Sequence, residues 1–263
     1  MKTLEKHLLI LEPLLEELAP LGYFRKGKQL WHINRQEGYA ILIEAEMYTR
    51  GTYKQVLIQY GSFWKDISAS RQGGVFLGSV LALDDRCIPF PTFGIENAEE
   101  PEQLVRASAP YMVDQVKTTV LPILRDIHDL PSFVKASEAL DAQNAGVISW
   151  PRGERVWDYL ALGDRSAACG YLHRLLQYSW RDVLETIIAA LSPDKEAEAR
   201  RYNEQRASLI DCAEQQSRER LQHLLDDIAA MDDAQLAQVL QTRRARSEAA
   251  LAANLGPRRW NQL

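Results

Sequence analysis

The sequence is poor in the residues from which metal and redox sites are built. Its three cysteines, Cys87, Cys169 and Cys212, are odd in number and lie far apart. Their spacing fits neither a zinc motif nor a redox pair, which predicts reduced thiols in a cytoplasmic protein. None of the five histidines has another histidine or a cysteine at ligand spacing, whereas a zinc site needs several such ligands brought together. We therefore expect no metal site and no cofactor.

Long apolar runs and clustered charge of one sign are also missing. No stretch approaches about 18 apolar residues without a charge, so we expect no membrane span. Glu5 and Glu12 interrupt the leucine-rich N-terminus, which is untypical of a signal peptide. The net charge is −5, and acidic and basic residues alternate over most of the chain. A nucleic-acid surface needs clustered Lys and Arg, so we do not expect nucleic acid as the partner.

What the chain does have is an ordinary globular composition, with 46% hydrophobic and 25% charged residues in a length of 263. This balance is close to the average for proteins with a packed core. The length suits one large domain or two small ones.

In the N-terminal half, apolar residues recur first with the period of a helix and then with the period of a strand. Leucines recur at steps of three and four residues between positions 3 and 19, which predicts an amphipathic helix. Pro13 should kink or break this helix, and Gly22 is typical of a residue just past a helix end. Period-two alternation then predicts antiparallel strands at residues 30–35, 39–47, around 56–60 and at 75–83. The last strand is expected to place on one side Val75, Leu77, Leu81 and Leu83.

The rest of the sequence is typical of helices. A helix with acidic first-turn residues should open near Glu99, since negative charge suits the positive end of the helix dipole. Pro110 and Pro122 should divide this region into shorter pieces. The further predicted helices cover residues 133–144, 154–162, 164–178, 179–191, 193 to about 231, and a last one that is capped by Asp232 and Asp233 and stopped by Gly256-Pro257.

These patterns together predict an α+β fold in two parts. Residues 1–145 should form an α+β domain, in which an antiparallel sheet of about four strands packs with helices. Residues 146–263 should form an all-helical region that ends in a long antiparallel helical hairpin. The boundary falls in the stretch 144–153, which is rich in Gly and Pro.

Glu44 and Glu46 are the most distinctive pair of chemical groups. Because they lie two residues apart on a predicted strand, they share a face. With Lys54 or Lys65 from neighbouring strands, they could hold a divalent cation for a metal-dependent hydrolase or nuclease. The usual nuclease strand ends in acid-x-lysine, however, and position 46 is Glu. The ordinary interpretation is the solvated face of a half-buried sheet.

The segment from Phe24 to Lys28 mixes aromatic and basic residues. Such a segment could bind phosphate. It is more often a turn whose aromatic residue is buried and whose charges are solvated.

The opening of the chain resembles a known family. A leucine-rich helix leads to Leu21-Gly22-Tyr23-Phe24-Arg25-Lys26-Gly27-Lys28, then to Leu30-Trp31-His32-Ile33 and to a strand with Ala40-Ile41-Leu42-Ile43-Glu44-Ala45. Together with Val120-Leu121-Pro122-Ile123-Leu124, this is similar to the bacterial domain-of-unknown-function family 4304. The resemblance covers roughly residues 5–135, and the chain departs from the family pattern at Tyr48-Thr49-Arg50.

The resemblance implies an antiparallel sheet packed with helices in a small cytoplasmic protein. Some members of the family lie beside toxin genes and are candidate immunity proteins. The family has no established catalytic residues, so none is carried over to this chain.

We therefore expect a non-enzymatic protein that binds another protein, with a bacterial toxin domain that it neutralises as the candidate partner. An immunity protein needs only a complementary surface, which is often acidic when the toxin is a basic nuclease. The residues that we expect to bind such a partner are Glu44, Glu46, Asp84 and Asp85.

Two alternatives from other classes stay open. One is the metal-dependent hydrolase that would use Glu44 and Glu46. The other is an adaptor that oligomerises through the long C-terminal helices.

Overall fold

The computed structural model describes residues 3–47, 54–69, 75–84, 101–143, 154–177, 179–189 and 193–263. Contacts divide the chain into two units. The first unit contains residues 1–144 together with 243–263, and the second contains residues 145–242. The last 21 residues, here named the C-terminal segment (243–263), therefore group with the N-terminal sheet, whereas we expected all of 146–263 to form one region.

The first unit is built on a five-stranded antiparallel sheet with the order β1-β2-β3-β4-β7. A separate pair of short strands, β5 and β6, is also antiparallel. The strands are β1 (Phe24–Lys26), β2 (Gln29–Asn34), β3 (Tyr39–Met47), β4 (Lys54–Ser62), β5 (Ser68–Ala69), β6 (Val75–Phe76) and β7 (Ser79–Asp84).

Helices make up most of the remaining described chain. Those of the first unit are α1 (Thr3–Leu18), α2 (Pro101–Gln115), α3 (Leu121–Arg125), α4 (Leu130–Gln143) and α11 (Pro257–Trp260). Those of the second unit are α5 (Val156–Ala161), α6 (Arg165–Leu176), α7 (Trp180–Ala189), α8 (Pro193–Glu204) and α9 (Ala207–Ala230). Helix α10 (Asp233–Leu255) begins in the second unit and ends in the first. The predicted α+β class is confirmed.

One side of the sheet, here named the local face, is covered by helices that are near it in sequence. Its residues include Ile41 and Ile43, which are fully buried. His7 of α1 donates a hydrogen bond from Nδ1 to the carbonyl of Ala45 over 2.6 Å. The Tyr39 ring stacks on Phe133 of α4, with 4.7 Å between ring centroids.

The opposite side, here named the remote face, is covered by the C-terminal segment. Its apolar cluster joins residues of the sheet and its flanking turns to residues more than 170 positions later in the chain. The buried members are Trp31, Ile33, Ala40, Leu42, Phe63, Ile67, Leu77, Leu251, Leu255 and Trp260. The sheet is therefore a middle layer between two sets of helices, which is a common way to bury both of its sides.

Three predicted features of the first unit differ from the structure. The expected strand at 75–83 is split at Gly78, whose φ of 93° suits glycine. Leu77 consequently joins the remote face, whereas Leu81 pairs with Ile58, so the expected common side for these leucines is wrong. Helix α2 runs through Pro110, and the break instead comes at a π-helical turn, Val116–Val120. Likewise, α1 continues through Pro13.

The second unit is helical, as predicted, and its capping follows from the sequence. The Asp164 carboxylate accepts a hydrogen bond from the Ala167 amide over 2.8 Å at the start of α6. Arg165 donates to the Met231 carbonyl over 2.7 Å and so satisfies a carbonyl just past the end of α9. The single long helix expected from residue 193 to about 231 is wrong, because α8 and α9 are separate helices with Gln205 and Arg206 between them.

Only Met231 and Asp232 separate α9 from α10. Asp232 and Gln235 cap each other across this junction, since the Asp232 amide donates to Gln235 Oε1 over 2.9 Å and the Gln235 amide donates to Asp232 Oδ1 over 2.8 Å. The predicted start of the last helix is therefore present. None of the described helices is long and apolar enough to cross a membrane.

Candidate functional site

The backbone register brings three of the four predicted binding residues to one corner of the sheet. Glu46 pairs with Gln55, and Gln55 pairs with Asp84 on the other side of β4. Glu44 lies two residues before Glu46 on β3. We name Glu44, Glu46 and Asp84 the acidic corner. The side chains of Glu46 and Asp84, and the whole of Asp85, lie outside the described part of the structure.

Glu44 has a defined place at this corner. Its side chain is half-buried, and its Oε1 accepts a hydrogen bond from Gln29 Nε2 over 3.3 Å. Across the next strand it pairs with Leu57, which is also half-buried. This corner of the remote face thus combines a carboxylate, an amide and an apolar side chain that solvent reaches in part.

The metal-dependent alternative gains no further ligand from the described residues. No group of three or more His, Cys, Asp or Glu side chains is placed to hold a metal ion within the described ranges. Of the two lysines considered for this site, Lys54 pairs by its backbone with Met47, and Lys65 is buried in a short 3₁₀ turn after β4. Glu44 and Glu46 remain neighbours on β3, and the register brings Asp84 of β7 to the same corner.

A buried serine fixes the C-terminal segment to the sheet. Ser247 is fully buried on α10. Its hydroxyl donates to the Phe63 carbonyl over 2.6 Å and accepts from the Ile67 amide over 2.8 Å. The turn after β4 therefore has two of its backbone groups satisfied by a single side chain from a distant helix, as buried polar groups require.

Arginines and a lysine extend this attachment along the segment. Arg243 donates to the Trp64 carbonyl over 2.6 Å, and Arg244 donates to the Arg35 carbonyl over 2.7 Å. At the far end, Lys26 Nζ donates to Asn254, to both its backbone carbonyl and its side-chain Oδ1. These bonds place the segment at a defined position across β1, β2 and the turns around them.

The same contacts bring together cations that are more than 200 residues apart in sequence. The guanidinium of Arg259 lies 4.1 Å from the Phe24 ring centroid, and that of Arg35 lies 4.4 Å from the Trp260 ring centroid. Lys26, which bonds to Asn254, lies on the same side of β1 as Phe24, whereas Arg25 pairs with Leu30 on the opposite side. Sequence reasoning noticed the segment from Phe24 to Lys28 and missed the cations that the C-terminal segment places beside it.

A row of aromatic rings lies under the helices of the local face. Tyr23 stacks on His32 with 4.9 Å between centroids, and His32 lies 5.6 Å from Tyr39. Burial lowers the pKa of His32, and the Gly22 carbonyl partly offsets this effect. Burial, and to a smaller extent the neighbouring Tyr39, raise the pKa of Tyr23, whose buried hydroxyl has no hydrogen-bond partner among the described residues. This arrangement keeps both groups neutral near pH 7.

His7, on α1, is a second buried histidine against the local face. Burial lowers its pKa, its hydrogen bond to the Ala45 carbonyl opposes that shift, and the positive charge of Lys28 lowers the pKa further. Neutral His7 therefore fits the structure better than protonated His7.

Two grooves formed by described helices are further candidate sites. One, of about 500 Å³, lies between α1 and α2 and is lined by Leu9, Pro13, Arg106, Ala109, Pro110, Val113, Asp114 and Lys117. The other, of about 250 Å³, lies within the second unit and is lined by residues of α7, α8 and the start of α9. Neither groove was expected from the sequence, because each is formed by helices whose pairing the periodicity does not reveal.

Comparison with known proteins adds no relative. No family model, no curated protein and no solved structure matches this chain. The resemblance to family 4304 thus stays an expectation from the opening motifs.

Proposed function

We propose that this chain is a non-enzymatic protein that binds another protein through the acidic corner, with a basic bacterial toxin domain as the partner that it neutralises in the cytoplasm. The observation that carries the proposal is the strand register, which gathers Glu44, Glu46 and Asp84 at one corner of the remote face. In the linear sequence Asp84 lies about 40 positions from the two glutamates.

Charge and partial exposure support this assignment. Acidic groups that are gathered at one place attract a basic partner and exclude an acidic one, which sets specificity and association rate. The half-buried Leu57 beside Glu44 adds apolar area, and interfaces need such area at their centre.

The proposal is tested by affinity capture from a native bacterial lysate with the full chain as bait, read by mass spectrometry. The bait variants are Glu44→Lys with Asp84→Lys, and a matched control that reverses two exposed glutamates of α1, Glu12→Lys with Glu16→Lys. We expect one stoichiometric partner with a basic toxin-like domain, which the corner variant loses and the control retains. A partner that both variants retain would show that the interface lies elsewhere.

The hydrolase alternative makes a different prediction for the purified chain. A true metal site would raise the melting temperature in Mg²⁺ or Mn²⁺, because a ligand that binds only the folded state stabilises it. Glu44→Gln would then abolish the rise. We expect no rise for either protein, and a metal-dependent rise that Glu44→Gln removes would replace the binding proposal with the hydrolase.

The adaptor alternative can be tested at an exposed apolar residue of α9. Leu209 is 67% exposed, and although a single exposed leucine is common on monomeric proteins, it is a place where a second copy would be contacted. Truncation before α8 is unsuitable as a test, since it also removes the C-terminal segment from the sheet. Sedimentation of Leu209→Glu against the native chain is the cleaner experiment. Self-association that this substitution abolishes would support the adaptor, and two monomers would exclude association through Leu209.

A further inference from the structure

We infer that Gln29 is a positioning residue of the acidic corner. It fixes the plane of the Glu44 carboxylate, so that this group takes an arginine side chain of the protein partner in preference to a lysine. The inference rests on the proposed function, because it concerns the same corner, and it deepens that function by naming the cationic group that the corner accepts.

Gln29 lies between a buried ring and the carboxylate. Gln29 pairs with Glu44 in the strand register, and two residues further on Trp31 pairs with Leu42 of the remote face. Since side chains alternate along a strand, all four lie on that face. The Trp31 indole donates from Nε1 to Gln29 Oε1 over 3.1 Å, and Gln29 Nε2 donates to Glu44 Oε1 over 3.3 Å. Two hydrogen bonds in series therefore join the apolar cluster to the acidic corner.

The chemistry of its two partners decides which way the Gln29 amide points. An indole nitrogen can only donate, and an ionised carboxylate can only accept. The amide must therefore turn its oxygen to Trp31 and its nitrogen to Glu44, because the reversed amide would place donor against donor and acceptor against acceptor. Trp31 is fully buried within the apolar cluster, so it is a closely packed anchor for this series of bonds.

The bond from Gln29 orients the carboxylate without neutralising it, because an amide carries no charge. Lys26 pairs with Gln29 on the other side of β2, but its Nζ donates to Asn254 of the C-terminal segment. In the register Gln29 thus stands as a neutral side chain between Lys26 and Glu44. An arginine in place of Gln29 would orient the carboxylate equally well, but it would also cancel the charge that attracts a basic partner.

An oriented carboxylate distinguishes between the two basic side chains. A guanidinium is planar and donates two parallel N–H bonds to a carboxylate, whereas an ammonium is a point charge without a plane. Each carboxylate oxygen has two lone pairs, so Oε1 can accept from Gln29 and from a ligand together. A plane that is fixed in advance loses less side-chain entropy on binding. The half-buried Leu57 beside Glu44 offers apolar surface to the arginine stem.

The test is nitrogen-15 NMR of the full chain, titrated with two short peptides in which glycine alternates with either arginine or lysine. Affinities are read from the backbone amide signal of Leu57. The variant Gln29→Met keeps the size of the side chain and removes both hydrogen bonds. The matched control is Gln59→Met, since Gln59 is a half-buried glutamine that pairs with Leu42 on the same face. Thermal melts confirm that each variant is folded.

A second readout follows the series of bonds itself. The indole N–H signal of Trp31, which is assigned with Trp31→Phe, is compared with and without Glu44→Gln, in the native chain and in Gln29→Met. A change at Glu44 that reaches Trp31 only when Gln29 is present is the signature of coupling through that side chain. A residue that merely fills space would not produce it.

We expect the native chain to bind the arginine peptide about threefold to tenfold more tightly than the lysine peptide. Gln29→Met should lose this preference, and Gln59→Met should keep it. Glu44→Gln should shift the Trp31 indole signal in the native chain and leave it in place in Gln29→Met.

Equal affinity of the native chain for the two peptides, a preference that Gln29→Met retains, or an indole shift that is independent of Gln29 would each overturn the inference. The peptides are defined probes, so this result does not depend on finding the natural partner. A lysate capture without a toxin-like partner would instead overturn the proposed function and leave the role of Gln29 standing.

Discussion

The two faces of the N-terminal sheet are covered by segments from opposite ends of the chain, and they use different chemistry. On the local face, α1 and α4 contribute apolar side chains, stacked rings and the neutral His7. On the remote face, the C-terminal segment contributes an apolar cluster framed by arginines that donate to backbone carbonyls. The local face therefore contains histidines whose pKa is lowered by burial, whereas arginines make many of the polar contacts of the remote face.

The two faces also differ in how completely they are covered. The local face is closed by its helices. The remote face is only partly closed, because the C-terminal segment covers the end with Trp31 and Leu42 and leaves Glu44 half-buried at the other. The acidic corner lies on this partly closed face. Where a distant segment covers only part of a sheet face, residues beside the covered part stay partly exposed and can contact a partner.

The largest expected effect follows from deletion of residues 243–263. The deletion exposes the apolar cluster and removes Leu251, Leu255 and Trp260, whose burial stabilises the fold by about 1.5–3 kcal/mol each. That sum is comparable to the whole stability of a typical domain, about 5–15 kcal/mol. We expect the first unit to lose its cooperative unfolding transition in urea. The transition is measured by tryptophan fluorescence. Deletion of Gln262 and Leu263 alone, both exposed, is the control and should keep the transition.

A matched pair of leucines sharpens the comparison. Leu251 on the remote face and Leu11 on the local face are both fully buried. Substitution of either by alanine leaves a cavity and should lower the free energy of unfolding by about 2–5 kcal/mol. Equal losses in urea titrations mean that the distant segment is as integral to the core as the local helices. If Leu251→Ala alone lowers the free energy of unfolding by less than about 1 kcal/mol, the C-terminal segment is only loosely attached to the sheet.

Ser247→Ala should have a smaller effect, about 1–3 kcal/mol, because the Phe63 carbonyl and the Ile67 amide lose their partner while buried. The control is Thr242→Ala on the same helix. Thr242 is exposed, and its hydroxyl donates within the helix to the Gln238 carbonyl at 2.8 Å, so we expect a change within about 0.5 kcal/mol. Similar values for the two variants would contradict the role assigned to Ser247.

The smallest predicted effect is a pH dependence that belongs to the local face. Burial lowers the pKa of both His7 and His32 in the folded chain. The unfolded chain therefore binds more protons than the folded one as the pH falls through about 6.5, and stability decreases there. The loss ends once the pH is below the folded pKa values. Urea midpoints between pH 8 and pH 5 should fall for the native chain and fall less for His7→Gln with His32→Gln; parallel curves would refute the assignment.

The local face was largely predictable from the sequence. Period-two alternation placed Ile41 with Ile43 and Val56 with Ile58, and the leucine spacing located α1, because these patterns report burial by nearby elements. Asp164 and Asp232 marked helix starts because a cap is a local hydrogen bond. The predicted common side for the leucines in 75–83 was wrong, since the conformation of Gly78 and not the alternation sets their direction.

The packing of the C-terminal segment on the remote face could not be predicted in the same way. Helical periodicity in residues 233–255 shows that one side of α10 is buried, but it does not say against what. Ser247 in a helix is ordinary in sequence, and its two bonds to backbone groups about 180 positions earlier have no local signal. For the same reason the acidic corner was foreseen only in part: Glu44 and Glu46 share a strand, whereas the place of Asp84 beside them depends on the β4 register.

The most direct test of this account is a zero-length cross-link between the sheet and the C-terminal segment. Lys26 Nζ lies 3.2 Å from Asn254 Oδ1, so Asn254→Asp places a carboxylate where carbodiimide can join it to that lysine. Lys117 and Glu17, 3.2 Å apart, provide an internal positive control in every sample. We predict a peptide that contains Lys26 joined to position 254 in the variant and not in the native chain. If the control pair is joined and the Lys26 link is absent, the C-terminal segment does not cover the remote face.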